Sequence, residues 1–80
     1  MTARKGRSTS IDLIVSRNVR SRRLAKGLTQ EHVAKELGVS FQQIQKYENG
    51  TNRIASGRLF QIAKLLGVPV QKLFEGCDPK

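Results

Sequence analysis

Five glycines (Gly27, Gly38, Gly50, Gly67 and Gly76) punctuate this 80-residue chain, and each follows a segment whose apolar residues recur at three- and four-residue steps. No segment alternates apolar and polar residues with period two. The spacing therefore predicts an all-α fold of five short helices on short connections. Helix 1 is expected over 10–26, capped by Thr9 or Ser10, with Ile11, Ile14, Val15, Val19, Leu24 and Leu28 on its apolar side. Thr29 is placed to cap helix 2 over 30–37, and Ser40 to cap helix 3 over 41–48. Ser56 is the candidate cap of helix 4 over 56–66, and Pro69 stands where a short helix 5 begins.

Eighty residues with 38% hydrophobic content make one small domain. Residues 1–9 read as a flexible basic arm carrying Arg4, Lys5 and Arg7, residues 10–76 as the domain, and residues 77–80 as a frayed tail. The single cysteine, Cys77, excludes an intrachain disulfide or a cysteine-based zinc site and reads as a spare tail thiol. His32 is a lone histidine, expected on the surface of helix 2, so no metal site is expected. The longest early apolar run, Leu13-Ile14-Val15, is far shorter than a secretory core of about 7–15 residues or a span of about 20. The expectation is a soluble, cytoplasmic protein.

Charge narrows the partners. The formal net charge is +9, and residues 1–26 hold eight Lys/Arg against one acid, Asp12. Such a field suits a polyanion, nucleic acid before anionic lipid, or simply a solvated face. A lipid binder needs a basic helix with a broad exposed apolar face, whereas helix 1 turns its apolar side to the core.

The stretch from Leu28 to Gly50 is the most informative. A short helix, a tight turn at Gly38-Val39-Ser40 and a second helix make a helix-turn-helix. Gly38 lets the chain reverse without Cβ strain. Val33, Leu37, Val39, Ile44 and Tyr47 can pin the two helices together. With Ile44 and Tyr47 inward, Ser40, Phe41, Gln42, Gln45 and Lys46 face outward or flank the helix N-terminus. Glutamine amides can pair bidentately with adenine, lysine can reach a guanine edge or a phosphate, and Phe41 can meet a thymine methyl. No acid occurs from Gly38 through Tyr47. An amphipathic helix with an uncharged polar face is the alternative reading of the same pattern.

Arg23, Gly27, Leu28, Thr29 and Gln30, then Val33-Ala34, Leu37-Gly38-Val39-Ser40, Ile44 and Tyr47-Glu48-Asn49-Gly50, stand at joint spacings that closely resemble the Cro/C1-type helix-turn-helix domains of phage repressors and bacterial XRE-like regulators. Gly-Val-Pro-Val at 67–70 and Leu73-Phe74 continue the likeness, which covers about residues 11–75. The resemblance implies a lambda-repressor-like five-helix bundle that binds double-stranded DNA as a homodimer on a palindromic operator, most often as a repressor. It implies that Gln30 binds a phosphate at the start of helix 2, and that Ser40, Phe41, Gln42, Gln45 and Lys46 read bases or nearby phosphates. Asn49, Thr51, Asn52 and Arg53 would then grip the second backbone strand. Gln43 lies closer to the helix–helix seam. Phe41 departs from the polar residue usual at its position. Arg23 and Glu48 match an ion pair that ties helix 3 to helix 1, with Arg23 on a phosphate as the other reading.

Leu66, Val68, Val70 and Phe74 are candidates for dimer contacts or for core. Arg17, Arg20 and Arg22 supply a general basic field. A restriction–modification controller or the antitoxin of a toxin–antitoxin pair would share this DNA chemistry. An RNA or protein interaction module is a further class, although stacking aromatics are scarce. Nothing reads as catalytic: there are no paired carboxylates at pocket-like spacing, no phosphate-cradling glycine loop and no nucleophile–base set. A domain this small is expected to have little room for a pocket of about 300 Å³. No cofactor or small-molecule ligand is implied.

Overall fold

The glycine-bounded segments fold as helices in a computed structural model that describes residues 10–77. The expected arm at 1–9, including the Thr9 cap, and residues 78–80 of the expected tail lie outside the described residues. Four α-helices follow in order: α1 (Ser10–Ala25), α2 (Gln30–Leu37), α3 (Phe41–Asn49) and α4 (Ser56–Leu66). A 3₁₀ helix, Val70–Phe74, follows α4, and no strand occurs among the described residues.

Local chemistry sets these boundaries. Thr29 Oγ1 accepts from the His32 amide at 3.0 Å, and Ser40 Oγ accepts from the Gln43 amide at 3.0 Å. Between them Gly38 takes φ +72°, a left-handed conformation that lets its N–H reach back to the Lys35 carbonyl. Ser56 is not a cap. The Leu59 amide bonds the Ala55 carbonyl at 2.8 Å, so Ala55 is the boundary residue and Ser56 is already helical. The fifth helix is 3₁₀ rather than α: Lys72 N–H donates to Pro69 O at 2.9 Å, three residues back. Five residues after a proline are too few to set up the four-residue ladder.

Two clusters make the core. Val15 and Val19 of α1 meet Leu59, Ile62, Ala63 and Leu66 of α4 and Leu73 of the 3₁₀ helix. Val33 and Ala34 of α2 meet Ile44 of α3. Leu28, Leu37 and Tyr47 belong to both margins and weld the clusters together. Leu66 is thereby core, Val68 and Val70 are half-buried against it, and Phe74 is exposed.

Three further expectations differ from the fold. Ile11 and Leu24 are both exposed. The buried stripe of α1 runs Val15, Ser16, Val19 and Arg23, and at its C-terminal end the inward position goes to Arg23 because Glu48 lies opposite. Cys77 is no frayed thiol. Its N–H donates to Phe74 O at 3.0 Å, and its side chain packs against the larger cluster. Nor is the surface without hollows: an open groove of ≈ 580 Å³ runs between α2 and α4, lined by Glu36, Leu37, Gly57, Phe60, Gln61, Lys64 and Leu65.

The 3₁₀ helix is fastened to α1 by polar contacts. Asn18 Nδ2 donates to the carbonyls of Leu73 at 2.8 Å and Glu75 at 2.9 Å. Glu75 also takes Lys72 at 3.3 Å and Arg22 at 3.2 Å, and the Lys72 hydrogen bond foremost holds its carboxyl below the ordinary range.

Candidate nucleic-acid interface

Ile44 fixes which side of α3 faces out. Its side chain is 2% exposed, locked between Val33 and Ala34. Helical geometry then turns Phe41, Gln42, Gln45 and Lys46 to solvent, and all four are exposed, as is Ser40 at the cap. Phe41 is 37% exposed, a partly covered ring at the edge of the face. Gln43 is half-buried, its amide aimed at Asn52 Oδ1 over a long 3.5 Å.

Behind this face sits a buried charge network. Arg23 Nε donates to Glu48 Oε2 at 2.6 Å and a second guanidinium nitrogen to Glu48 Oε1 at 3.0 Å, with side-chain exposures of 8% and 3%. Arg23 also donates to the Leu28 carbonyl at 2.7 Å. One bidentate pair therefore links α1, the turn before α2, and the end of α3. Gln30, first residue of α2, donates from Nε2 to Glu48 Oε1 at 3.0 Å. Its amide is thus oriented by the ion pair, and one of its two N–H groups remains for a ligand.

The loop after α3 is self-organised. Asn49 Oδ1 accepts from the Thr51 amide at 2.8 Å and the Thr51 hydroxyl at 2.6 Å. Asn52 N–H donates to Lys46 O at 3.2 Å, returning the loop to α3. Arg53 is turned toward the start of α1, where its Nε lies 3.3 Å from Asp12 Oδ2. Asn49 and Thr51 are exposed, while Asn52 is half-buried.

A groove of ≈ 260 Å³ joins these parts, lined by Arg20, Gln30, Gln45, Glu48 and Asn49. Arg20, expected only as part of a general basic field, lines this groove. Its spacing carries the signal: it precedes Arg23 by three residues, so it lies on nearly the same side of α1. His32 is exposed, and no cluster of three metal-ligating side chains occurs among the described residues. No helix among them is long and apolar enough to cross a membrane.

A glycine-turned α2–α3 pair, a capped and outward-facing second helix and a supporting α1 define the helix-turn-helix class. The helix-turn-helix family model matches residues 19–73, and the chain belongs to that family. It is 52% identical over 73 residues to a transcriptional regulator in the ATPase CF(0) region of Rhodospirillum rubrum, covering 88% of this chain and 68% of that protein. It is 45% identical over 75 residues to an HTH-type transcriptional regulator of Sinorhizobium medicae, covering 94% of this chain but only 54% of the other. Among solved structures, the restriction-modification controller protein C.AhdI of Aeromonas hydrophila superposes with a TM-score of 0.73 at 26% identity, over 78% of this chain and 94% of that one.

Proposed function

We propose that this protein is a sequence-specific, double-stranded DNA-binding transcriptional regulator that acts as a repressor. It binds a palindromic operator as a homodimer with α3 in the major groove. The observation that carries the reading is the orientation of α3: with Ile44 buried, Gln42, Gln45 and Lys46 stand free on a rigid, acid-free face. Ser40 and Phe41 flank that face at its entry. Gln30, Asn49, Thr51 and Asn52 contact backbone phosphates, and Arg53 joins them by exchanging Asp12 for a phosphate. The family, and relatives described as transcriptional regulators, support the same reading. The likeness to C.AhdI, a restriction-modification controller protein, supports a variant in which this protein is a controller of that kind.

Selection from random duplexes tests it. The expected product is an enriched palindrome with half-site centres about 34–36 Å apart. Recovery of unenriched sequence overturns the reading. On the enriched site, Gln42→Ala is expected to cost about 1–3 kcal/mol and to relax preference at one base position. Equal weakening on every sequence reassigns Gln42 to a phosphate.

A further inference from the structure

We infer that Arg20, Gln30 and Asn49 form one site for a single backbone phosphate, and that Arg20 supplies its charge. The inference rests on the DNA-binding reading and deepens it by assigning a residue of α1 to the interface. All three side chains line the same groove, from α1, α2 and α3 in turn.

The chemistry of the groove selects an oxyanion. Its one acid, Glu48, has both carboxylate oxygens engaged, Oε2 by Arg23 and Oε1 by Arg23 and Gln30. The Arg23–Glu48 pair is neutral in sum, so Arg20 sets the sign of the groove. Arg20 has no hydrogen-bond or ion-pair partner among the described residues and is exposed. Gln30 keeps one N–H beyond the bond to Glu48. Asn49 has its oxygen occupied twice by Thr51, which leaves its NH₂ as the open end. A planar guanidinium and two amide donors thus line one groove from three elements, a donor set suited to a phosphodiester oxygen pair. Gln30 also stands in the first turn of α2, where the helix dipole adds to the attraction. A base edge offers donors as well as acceptors and fits this set less well than a phosphate.

The test uses the full chain and a duplex carrying the site enriched by the wild-type protein. Dissociation constants are measured between 50 and 200 mM salt for wild type, Arg20→Ala, Gln30→Ala, the double variant, and Lys64→Ala as a cation on α4 away from the groove. Loss of one phosphate contact is expected to flatten the log–log salt slope by about one for Arg20→Ala and to leave it unchanged for Lys64→Ala. Sharing one phosphate predicts that the double variant loses less affinity than the product of the single losses. Thermal unfolding of Arg20→Ala should match wild type, because the side chain is exposed. An unchanged slope for Arg20→Ala, an equal change for Lys64→Ala, or strictly multiplicative losses overturns the site while leaving DNA binding intact. If wild type shows no salt-dependent duplex binding, the DNA reading and this site fall together.

Discussion

Arg23 and Glu48 occupy positions that an apolar pair could fill, and their geometry explains why single replacements there are costly. Each is nearly enclosed, and among the described residues each is the other's only full countercharge at hydrogen-bonding distance. Removing Arg23 leaves Glu48 with the Gln30 amide alone, and a stranded buried charge costs about 3–5 kcal/mol. For a domain of this size, each kcal/mol moves the melting midpoint by roughly 4–8 °C. Arg23→Met and Glu48→Leu are therefore each expected to melt far below wild type, and the combined variant well above either single one. Circular dichroism melts check this, and a double variant no better than the worse single would show that the pair is not a closed unit. The combined variant should still bind DNA weakly, because Gln30 loses the carboxylate that orients it.

At the scale of elements, the α1–α3 junction shows both what the sequence reveals and what it hides. Gly50 ends α3 at φ +81°, and a Cβ built there would run into the Leu13 side chain at the start of α1. Gly38 has a similar φ of +72° but open space around a Cβ. Gly38→Ala is thus expected to cost only the left-handed penalty of about 1–2 kcal/mol. Gly50→Ala should cost slightly more, because the exposed end of the Leu13 side chain must swing aside. In a Leu13→Ala background the two substitutions should cost the same, and urea melts of the four proteins decide it. A gap that survives Leu13→Ala places the clash elsewhere. Glycine punctuation and helical periodicity made α2, the turn and α3 legible, because those boundaries are set by local capping. Contact with Leu13 is not local, and no spacing rule announces it. The same limit explains Leu24 and Phe60, apolar by type yet 51% and 63% exposed. Their neighbours on α1 and α4 already fill the inward stripe. Ser56 fails as a cap for a related reason: Ala55 is placed by the incoming loop, and the first helical bond forms on its carbonyl. Gln30 and Glu48 were readable as separate residues, but their hydrogen bond crosses 18 positions and needed the fold.

For the molecule as a whole, salt should act on stability and on DNA affinity with opposite signs. Fifteen Lys/Arg face six Asp/Glu, so the folded chain repels itself. Four ion pairs join described residues, and of these only Arg23–Glu48 is buried. The other three are partly or fully exposed and worth at most about 1 kcal/mol each, so salt removes little by weakening them. Raising ionic strength from about 0.01 to 0.15 M shortens the screening length from about 30 to 8 Å, which relieves the long-range repulsion more than it weakens contacts near 3 Å. The melting midpoint is expected to rise by a few degrees over that interval. DNA affinity should meanwhile fall by orders of magnitude between about 50 and 200 mM, because each neutralised phosphate releases counterions. Both trends come from one excess of cations. A melting midpoint that falls with salt would mean that the exposed pairs outweigh the net charge. An affinity that does not change with salt would mean that the basic surface is not the surface DNA touches.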